Sequence, residues 1–208
     1  MLTLYDFLDS GNGYKCRLLL SQLGLPFRLL LKDILKGETR TEEFLQLNPN
    51  GRIPLLLLED GRTLAESGAI LNYLAEGTAF LPDDRYGRAE TLQWMFFEQY
   101  SHEPNIAVAR FWRHFVWAEK AGDPYWERAL EERMARGYQA LEVMERHLAE
   151  RPYFAAGRYG IADIALYAYT HVAHEGGFEL ARYPAVRAWL DRVADRPGHV
   201  LITQADFA

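Results

Sequence analysis

Hydrophobic and polar positions follow two different rhythms along the chain, and the change falls near residue 80. Before that point, short apolar runs of strand length alternate with segments of helical periodicity, separated by Gly, Pro and Asp-Gly turns. The predicted elements run β-α-β-α-β-β-α over Leu2–Phe7, Tyr14–Leu23, Phe27–Leu31, Thr41–Leu47, Pro54–Leu58, Thr63–Leu64 and Ser67–Glu76. A βαβ unit followed by a hairpin and a helix predicts a mixed sheet whose first two strands are parallel.

The rest of the chain has helical periodicity only. The predicted helices are Tyr86–Glu103, Ala107–Lys120, Trp126–Glu150, Asp163–Ala173 and Ala185–Ala194. Pro104 follows the first of them directly, where it is expected to kink or break the helix. The expected organisation is therefore an α/β domain over residues 1–77, a linker over 78–85 and an all-α domain over 86–208.

Composition narrows the class of protein. Of 208 residues, 49% are hydrophobic and 25% charged, which is typical of an ordinary globular protein. The net charge of −6 argues against non-specific nucleic-acid binding, which needs a basic face. The N-terminus lacks the features of a signal peptide and no apolar window reaches membrane-spanning length, so we expect a cytoplasmic protein without a membrane segment.

The sequence offers few residues for metal binding or thiol chemistry. A single cysteine, Cys16, excludes a disulfide within the chain, a Cys-only zinc site and a CxxC redox pair. We interpret it as a packed structural thiol. His171 and His174 have a spacing that permits metal binding, but two ligands without cysteine make a weak site, so we expect no metal.

A polar turn between the first predicted strand and helix is the first candidate site. Ser10 and Asn12 alternate there with Gly11 and Gly13. Free N–H groups and the positive end of the helix dipole point out of such a turn, and glycines allow close approach of a ligand. A side chain that donates a hydrogen bond here would stabilise an anion such as a thiolate. The alternative is that Ser10 and Asn12 are only turn and N-cap residues.

Two later turns are the next candidates. Pro54 opens a strand after a glycine-containing turn, so Ile53-Pro54 is a candidate cis peptide, although trans is the commoner form. A cis bond would turn the Ile53 peptide group outward toward an extended ligand. Glu66 and Ser67 begin a helix, where the serine suits a carboxylate and the glutamate an ammonium group; a plain helix cap is the alternative.

A basic set lies near the same predicted edge. Lys36, Arg40 and Arg52 are either ligands of a second carboxylate or solvated surface charges, and the sequence does not rank them.

The order and spacing of these features resemble the cytosolic glutathione transferase family over essentially the whole chain. The strongest segments are Asn48–Pro54, which resembles the family's cis-proline loop, and Glu66–Leu74, which resembles its γ-glutamyl-binding helix start. The resemblance implies a thioredoxin-like first domain and an all-helical second domain. Residues 157–165 resemble the family's buried N-capping box, but Gly160 stands where Ser or Thr is usual, and Asp163 is expected to be structural.

The resemblance also implies roles for individual residues. Ser10 matches the hydroxyl that meets the glutathione sulfur in serine-type classes, and Asn12 matches the sulfur contact of bacterial relatives that act on disulfides. Of the two, Ser10 is the expected sulfur contact and Asn12 the alternative. The glutathione-binding residues would be Ile53 with Pro54 for the cysteinyl unit, Glu66 and Ser67 for the γ-glutamyl end, and Arg40, Arg52 or Lys36 for the glycyl carboxylate. A hydrophobic substrate site would include Phe7, Tyr14, Phe111 and Trp112.

The function expected from the resemblance is a glutathione transferase that conjugates the thiolate to a small hydrophobic electrophile, a detoxification reaction. The resemblance implies a homodimer that uses glutathione as co-substrate. One alternative is a glutathione-dependent disulfide-bond reductase or peroxidase. The other is a non-catalytic transferase-like binding or regulatory module.

Overall fold

The structure is a computed structural model that describes residues 1–207. The chain divides into two compact units. The first comprises Met1–Thr78 together with the C-terminal segment that begins at Arg196, and the second comprises Ala79–Asp195. Among the described residues, no helix combines the length and apolarity needed to cross a membrane.

The first unit is the mixed α/β domain that the sequence predicts. Its elements are β1 (Leu2–Asp6), α1 (Gly11–Gln22), β2 (Phe27–Leu31), α2 (Glu42–Leu47), β3 (Leu55–Leu57), β4 (Thr63–Ala65) and α3 (Ser67–Ala75). The sheet order is β2-β1-β3-β4; β1 and β2 are parallel, and the other neighbours are antiparallel. Helices α1 and α3 pack against each other. The four-stranded sheet confirms the predicted thioredoxin-like fold class.

The described part of the second unit is helical, as predicted. Its α-helices are α4 (Arg85–Phe97), α5 (Glu103–Phe111), α6 (Trp117–Lys120), α7 (Pro124–Leu148), α8 (Ile161–Thr170) and α9 (Pro184–Ala194). A 3-10 turn spans Ala173–Gly176. Side-chain caps fix two of the helix starts: Asp84 accepts from the Gly87 N–H at 2.8 Å and Asp123 from the Tyr125 N–H at 3.0 Å.

The α-helix is interrupted just before Pro104, by a change of helix type rather than by a loop. A π-helical turn, Glu98–His102, joins α4 to α5, and Pro104 lies in the first turn of α5. The π-turn accommodates the proline, which has no N–H to donate and would clash with the preceding turn of a regular α-helix. A second π-turn, Trp112–Val116, joins α5 to α6. Such wide turns interrupt α-helices, often at functional sites.

The buried capping motif at α8 confirms a structural role for Asp163. Its carboxylate accepts from the N–H groups of Phe154 and Gly160 and from the Trp189 indole, at 2.9–3.2 Å. Burial raises the pKa of Asp163 to about 7. The structure also explains Gly160. The next N–H, that of Ile161, donates to the Phe80 carbonyl, and a Cβ on Gly160 would lie 2.7 Å from that oxygen.

The C-terminal segment lies with the first unit, whereas we expected residues 196–208 to belong to the helical domain. Contacts of Arg17 explain why this segment lies with the first unit. Its guanidinium is fully buried and donates to the carbonyl oxygens of Ile202, Gln204 and Leu8, at 2.6–3.1 Å. Its Nε also forms an ion pair with Asp6 at 2.8 Å. The segment is therefore held by the same side chain that holds the end of β1.

We expect Arg17→Met to lower the free energy of unfolding by about 3–5 kcal/mol, because it leaves the Asp6 carboxylate buried without its cation. The measurement is urea unfolding. The matched control is Arg28→Met on β2, an exposed arginine whose loss is expected to cost less than about 0.5 kcal/mol.

Adding Asp6→Asn to Arg17→Met is expected to cost less than the sum of the two single changes, because no unpaired buried charge then remains. Equal losses for Arg17→Met and Arg28→Met would contradict the role given to Arg17.

Candidate functional site

The start of α1 carries the first candidate residues. The helix begins at Gly11, three residues earlier than predicted, because Ser10 is its N-cap: the Ser10 Oγ accepts from the Gly13 N–H at 3.4 Å. The need for glycine at position 13 is steric. A Cβ there would overlap the Asp6 carboxylate at 1.5 Å, so only glycine lets α1 sit this close to β1. Asn12 therefore lies in the first turn of the helix rather than in the preceding loop.

Asn12 connects the first candidate turn to the third. Its Oδ1 accepts from the Lys15 ammonium at 2.7 Å and lies 3.4 Å from the Ser67 hydroxyl, which donates to it. Lys15 is only 1% exposed. Because an ammonium group only donates, it fixes which end of the amide faces it. The Nδ2 end, which carries the two N–H donors, is thereby turned away from Lys15.

The start of α3 supplies Ser67 and Glu66. Ser67 is 5% exposed, whereas the Glu66 side chain is exposed. Glu66 has φ 68° and ψ 117°, a backbone conformation that L-residues rarely adopt. Such residues cost about 1–3 kcal/mol and cluster at ligand-binding sites. The backbone at Glu66 is thus held for a reason other than local preference.

The loop before β3 has the conformation that the family resemblance implies. The Ile53-Pro54 peptide bond is cis. The trans form, which base rates alone favour, is wrong here. Within residues 1–207, the backbone N–H and C=O of Ile53 form no hydrogen bond with protein, and the residue is half-buried. One donor and one acceptor are therefore available to an extended ligand.

Asn48 holds this loop, a role that the sequence did not reveal. Its Nδ2 donates to the Arg52 carbonyl at 2.7 Å, and its Oδ1 accepts from the Asn50 N–H at 3.1 Å. Its backbone carbonyl accepts from the Gly51 N–H at 2.8 Å. The available signal was an asparagine between α2 and a Pro-Asn-Gly turn, a residue type that bonds to nearby backbone.

The three basic residues, Lys36, Arg40 and Arg52, differ in their contacts. Lys36 forms an ion pair with Asp33 at 2.9 Å. Arg40 donates to the Asn50 carbonyl at 3.0 Å and so braces the loop. Arg52 is exposed next to Ile53, and no partner for its guanidinium lies among residues 1–207. Of the three cations, Arg52 is the one without a structural task.

One predicted substrate contact is wrong. Tyr14 is fully buried, and its hydroxyl donates to the Val200 carbonyl at 2.8 Å and lies 3.2 Å from His199. It anchors the C-terminal segment and presents no surface to a substrate. Phe7 is half-buried at the end of β1, so its predicted role stays open.

Phe111 and Trp112 belong to the second unit. Both are half-buried, and their rings lie against Phe115 and Trp126 respectively. Their role at a hydrophobic substrate site stays a prediction.

The most important pair that the sequence did not reveal is Asp6 with Arg17. Burial raises the pKa of Asp6 to about 6, although the Arg17 cation opposes the rise. The pair fixes α1 against β1 directly behind the turn that carries Ser10 and Asn12. Its signal was an arginine immediately before the apolar run Leu18–Leu20, where a solvated charge does not fit.

Comparison with known proteins agrees with this geometry. The family models for the N-terminal and C-terminal domains of glutathione S-transferase match residues 1–76 and 127–192. The disulfide-bond oxidoreductase YfcG of Escherichia coli is 35% identical over 204 residues, 95% of this chain and 92% of that protein.

Solved structures give the same result. A possible glutathione S-transferase from Rhodopseudomonas palustris superposes with a TM-score of 0.93 at 52% identity, covering 100% of this chain and 92% of that one. Ure2p in complex with glutathione has a TM-score of 0.83 at 27% identity, covering 95% and 90%. The chain thus belongs to the glutathione S-transferase family.

Proposed function

We propose that the protein binds glutathione as a thiolate at the start of α1 and uses it to reduce disulfide bonds. The observation that carries the proposal is the fixed amide of Asn12. Its oxygen accepts from Lys15 and Ser67, so the amide is fixed with its Nδ2 donor on the other side, and in this proposal that donor contacts the sulfur. The name of the E. coli relative, a disulfide-bond oxidoreductase, supports this choice of reaction.

The rest of the site supplies complementary groups for glutathione. The Ile53 peptide group pairs with the cysteinyl backbone, and Arg52 faces the glycyl carboxylate. The backbone N–H of Ser67, at the start of α3, holds the γ-glutamyl carboxylate, and the Glu66 carboxylate holds the ammonium group. Each of these pairings matches a donor to an acceptor or a cation to an anion. Ser10 serves as the N-cap of α1 in this scheme, and Asn12 rather than Ser10 contacts the sulfur.

The energy needed to form the thiolate is modest. A thiol with a pKa of about 8.5 is only a few per cent ionised at neutral pH, and a decrease of about two pKa units costs about 2.7 kcal/mol. A hydrogen bond to a charged group contributes about 1.5–3 kcal/mol. The N-terminus of a helix adds about 0.3–1 kcal/mol. Asn12 together with α1 is therefore sufficient.

The reaction needs two glutathione molecules, because the protein has no reactive thiol of its own. Cys16 is fully buried, and burial raises the pKa of its thiol well above the ordinary value. The bound thiolate attacks one sulfur of the disulfide, forms a mixed disulfide and releases the other sulfur as a thiolate. A second glutathione thiolate attacks the glutathione sulfur of that mixed disulfide and releases the remaining thiol. Two glutathiones are oxidised to glutathione disulfide, and the protons of their thiols pass to the two products.

Conjugation to a hydrophobic electrophile is the second candidate. The same thiolate serves as nucleophile, and the description of the R. palustris neighbour as a possible transferase favours it. We also propose that the protein acts in the cytoplasm as a homodimer. The exposed apolar side chains of Leu92 and Phe96, one turn apart on α4, support a protein interface.

Asn12→Asp tests the proposed sulfur contact. The substitution keeps an acceptor for Lys15 and Ser67 and removes the donor, so we expect about a 100-fold loss of kcat/KM, the equivalent of about 2.7 kcal/mol. The measurement is the rate with 2-hydroxyethyl disulfide and, separately, with 1-chloro-2,4-dinitrobenzene. Binding of S-methylglutathione, which has no thiol, is expected to change little.

Ser10→Ala is the matched control. It removes the cap, costs about 1 kcal/mol of stability and leaves most of the activity. An active Asn12→Asp beside an inactive Ser10→Ala would assign the sulfur contact to Ser10 instead. Faster turnover of the electrophile than of the disulfide would favour the transferase, and absence of glutathione binding would favour the non-catalytic module.

Cys16 gives an independent prediction. Iodoacetamide is expected to alkylate it only after unfolding in urea, since a buried neutral thiol is a poor nucleophile. Mass spectrometry of the treated protein measures this, and Cys16→Ala is expected to retain disulfide reduction. Loss of activity in Cys16→Ala, with folding intact by circular dichroism, would show that a protein thiol takes part.

A further inference from the structure

The C-terminal segment lies along one face of α1. Three side chains of that face, spaced three and four residues apart, donate hydrogen bonds to backbone carbonyl oxygens of the segment. The bonds run from Tyr14 to Val200 at 2.8 Å, from Arg17 to Ile202 and Gln204 at 2.9 and 3.1 Å, and from Ser21 to Gly198 at 2.8 Å. The helix that begins at the candidate site therefore holds this stretch of chain along its length.

The segment is also closely packed. Val200 and Ile202 are buried, and the ring centroid of Phe207 lies 4.8 Å from that of Phe27 on β2. Gly198 has φ 73°, and a Cβ there would lie 2.9 Å from the Cα of residue 22 in α1. Only glycine combines this backbone conformation with this close approach. The segment thus has one defined position on α1.

The guanidinium that holds the segment also holds the loop before the candidate site. Besides two carbonyls of the segment, Arg17 contacts the Leu8 carbonyl at 2.6 Å and the Asp6 carboxylate at 2.8 Å. That carboxylate accepts from the Phe7 N–H at 2.7 Å, and the Phe7 carbonyl accepts from the Ser10 N–H at 2.8 Å. The loop that leads into α1 is therefore fastened to Arg17 at its beginning.

Docking of the segment and the position of this loop are linked for that reason. A fully buried guanidinium is stable only when its donors are satisfied. The segment supplies two of the four acceptors of Arg17, and the end of β1 with its loop supplies the other two. If the segment leaves α1, Arg17 loses half of these acceptors and becomes accessible to water. The guanidinium is then free to turn away from Leu8, and the loop loses its support.

We propose that the C-terminal segment is a positioning element of the glutathione site, which acts through Arg17 and not by contact with the ligand. Docked on α1, it holds the loop and the first helical turn so that Asn12 meets the sulfur. Groups that stabilise a reacting atom have to be held within about 0.5 Å, so loss of this support weakens the contact. By linkage, binding of the thiolate strengthens docking of the segment by the same factor. The inference rests on the proposed binding of glutathione as a thiolate.

Gly198→Ala tests the inference, because the added Cβ pushes the segment away from α1. We expect the pKa of the bound glutathione thiol to rise by about one unit, a tenfold loss of acidity, in a titration of thiolate absorbance. The matched control is Gly24→Ala. Gly24 also has a positive φ, 64°, but a Cβ there meets open space, so the thiol pKa is expected to stay unchanged. Binding of S-methylglutathione, which has no thiol to ionise, is expected to change little in either variant.

Arg17→Lys tests the same link from the side of the helix. Lysine keeps a cation for Asp6, but a compact ammonium lacks the fork with which arginine reaches four acceptors. We expect a similar rise of the thiol pKa, and no rise in the control Arg28→Lys, which changes an exposed residue of β2. The result therefore does not depend on how Gly198→Ala relaxes.

Hydrogen exchange measures the reverse effect in the unaltered protein. Glutathione is expected to slow exchange of the amides of residues 199–206 about tenfold, and S-methylglutathione much less, since only the thiolate uses the Asn12 donor. A low thiol pKa that is the same in Gly198→Ala, Arg17→Lys and both controls would overturn the inference and leave the proposed function standing. A bound thiol that titrates at its free value in the unaltered protein would overturn both.

Discussion

The buried guanidinium of Arg17 is the interaction on which the first unit depends. One side chain of α1 contacts the end of β1 through Asp6, the following loop through the Leu8 carbonyl, and the C-terminal segment through Ile202 and Gln204. A buried charge is stable only when its hydrogen bonds are satisfied, so the four contacts have to form together. They position α1 behind the turn that carries Ser10.

The candidate site depends on the same fixed position of α1. With α1 fixed, its first turn holds Asn12 against Lys15 and Ser67, so the two candidate turns share one hydrogen-bond network. Neither Lys15 nor Ser67 needs to touch the sulfur. Their task is to orient the amide, and a pre-oriented donor loses little energy in reorganisation when charge forms on a ligand. In the same way, the hydrogen bonds of Asn48 fix the loop that presents the Ile53 peptide group.

Local patterns in the sequence were sufficient to predict most of the fold. Alternating apolar runs and the Asp60-Gly61 turn predicted the mixed sheet, and helical periodicity predicted the second unit. The sequence failed where long-range contacts decide. Tyr14 has the aromatic side chain expected of a substrate contact, but the C-terminal segment, more than 180 residues later, covers it. The same segment was placed in the wrong domain, because nothing local shows that its carbonyls bind Arg17. The helical path through Pro104 depends on a wide turn that has no signature in periodicity.

The most direct test of the central claim is the ionisation of bound glutathione, followed by thiolate absorbance near 240 nm as pH is varied. The orientation of Asn12 predicts a bound thiol with a pKa about two units below the free value of about 8.5, and a return toward that value in Asn12→Asp. A bound thiol that titrates at its free value in the unaltered protein would contradict it.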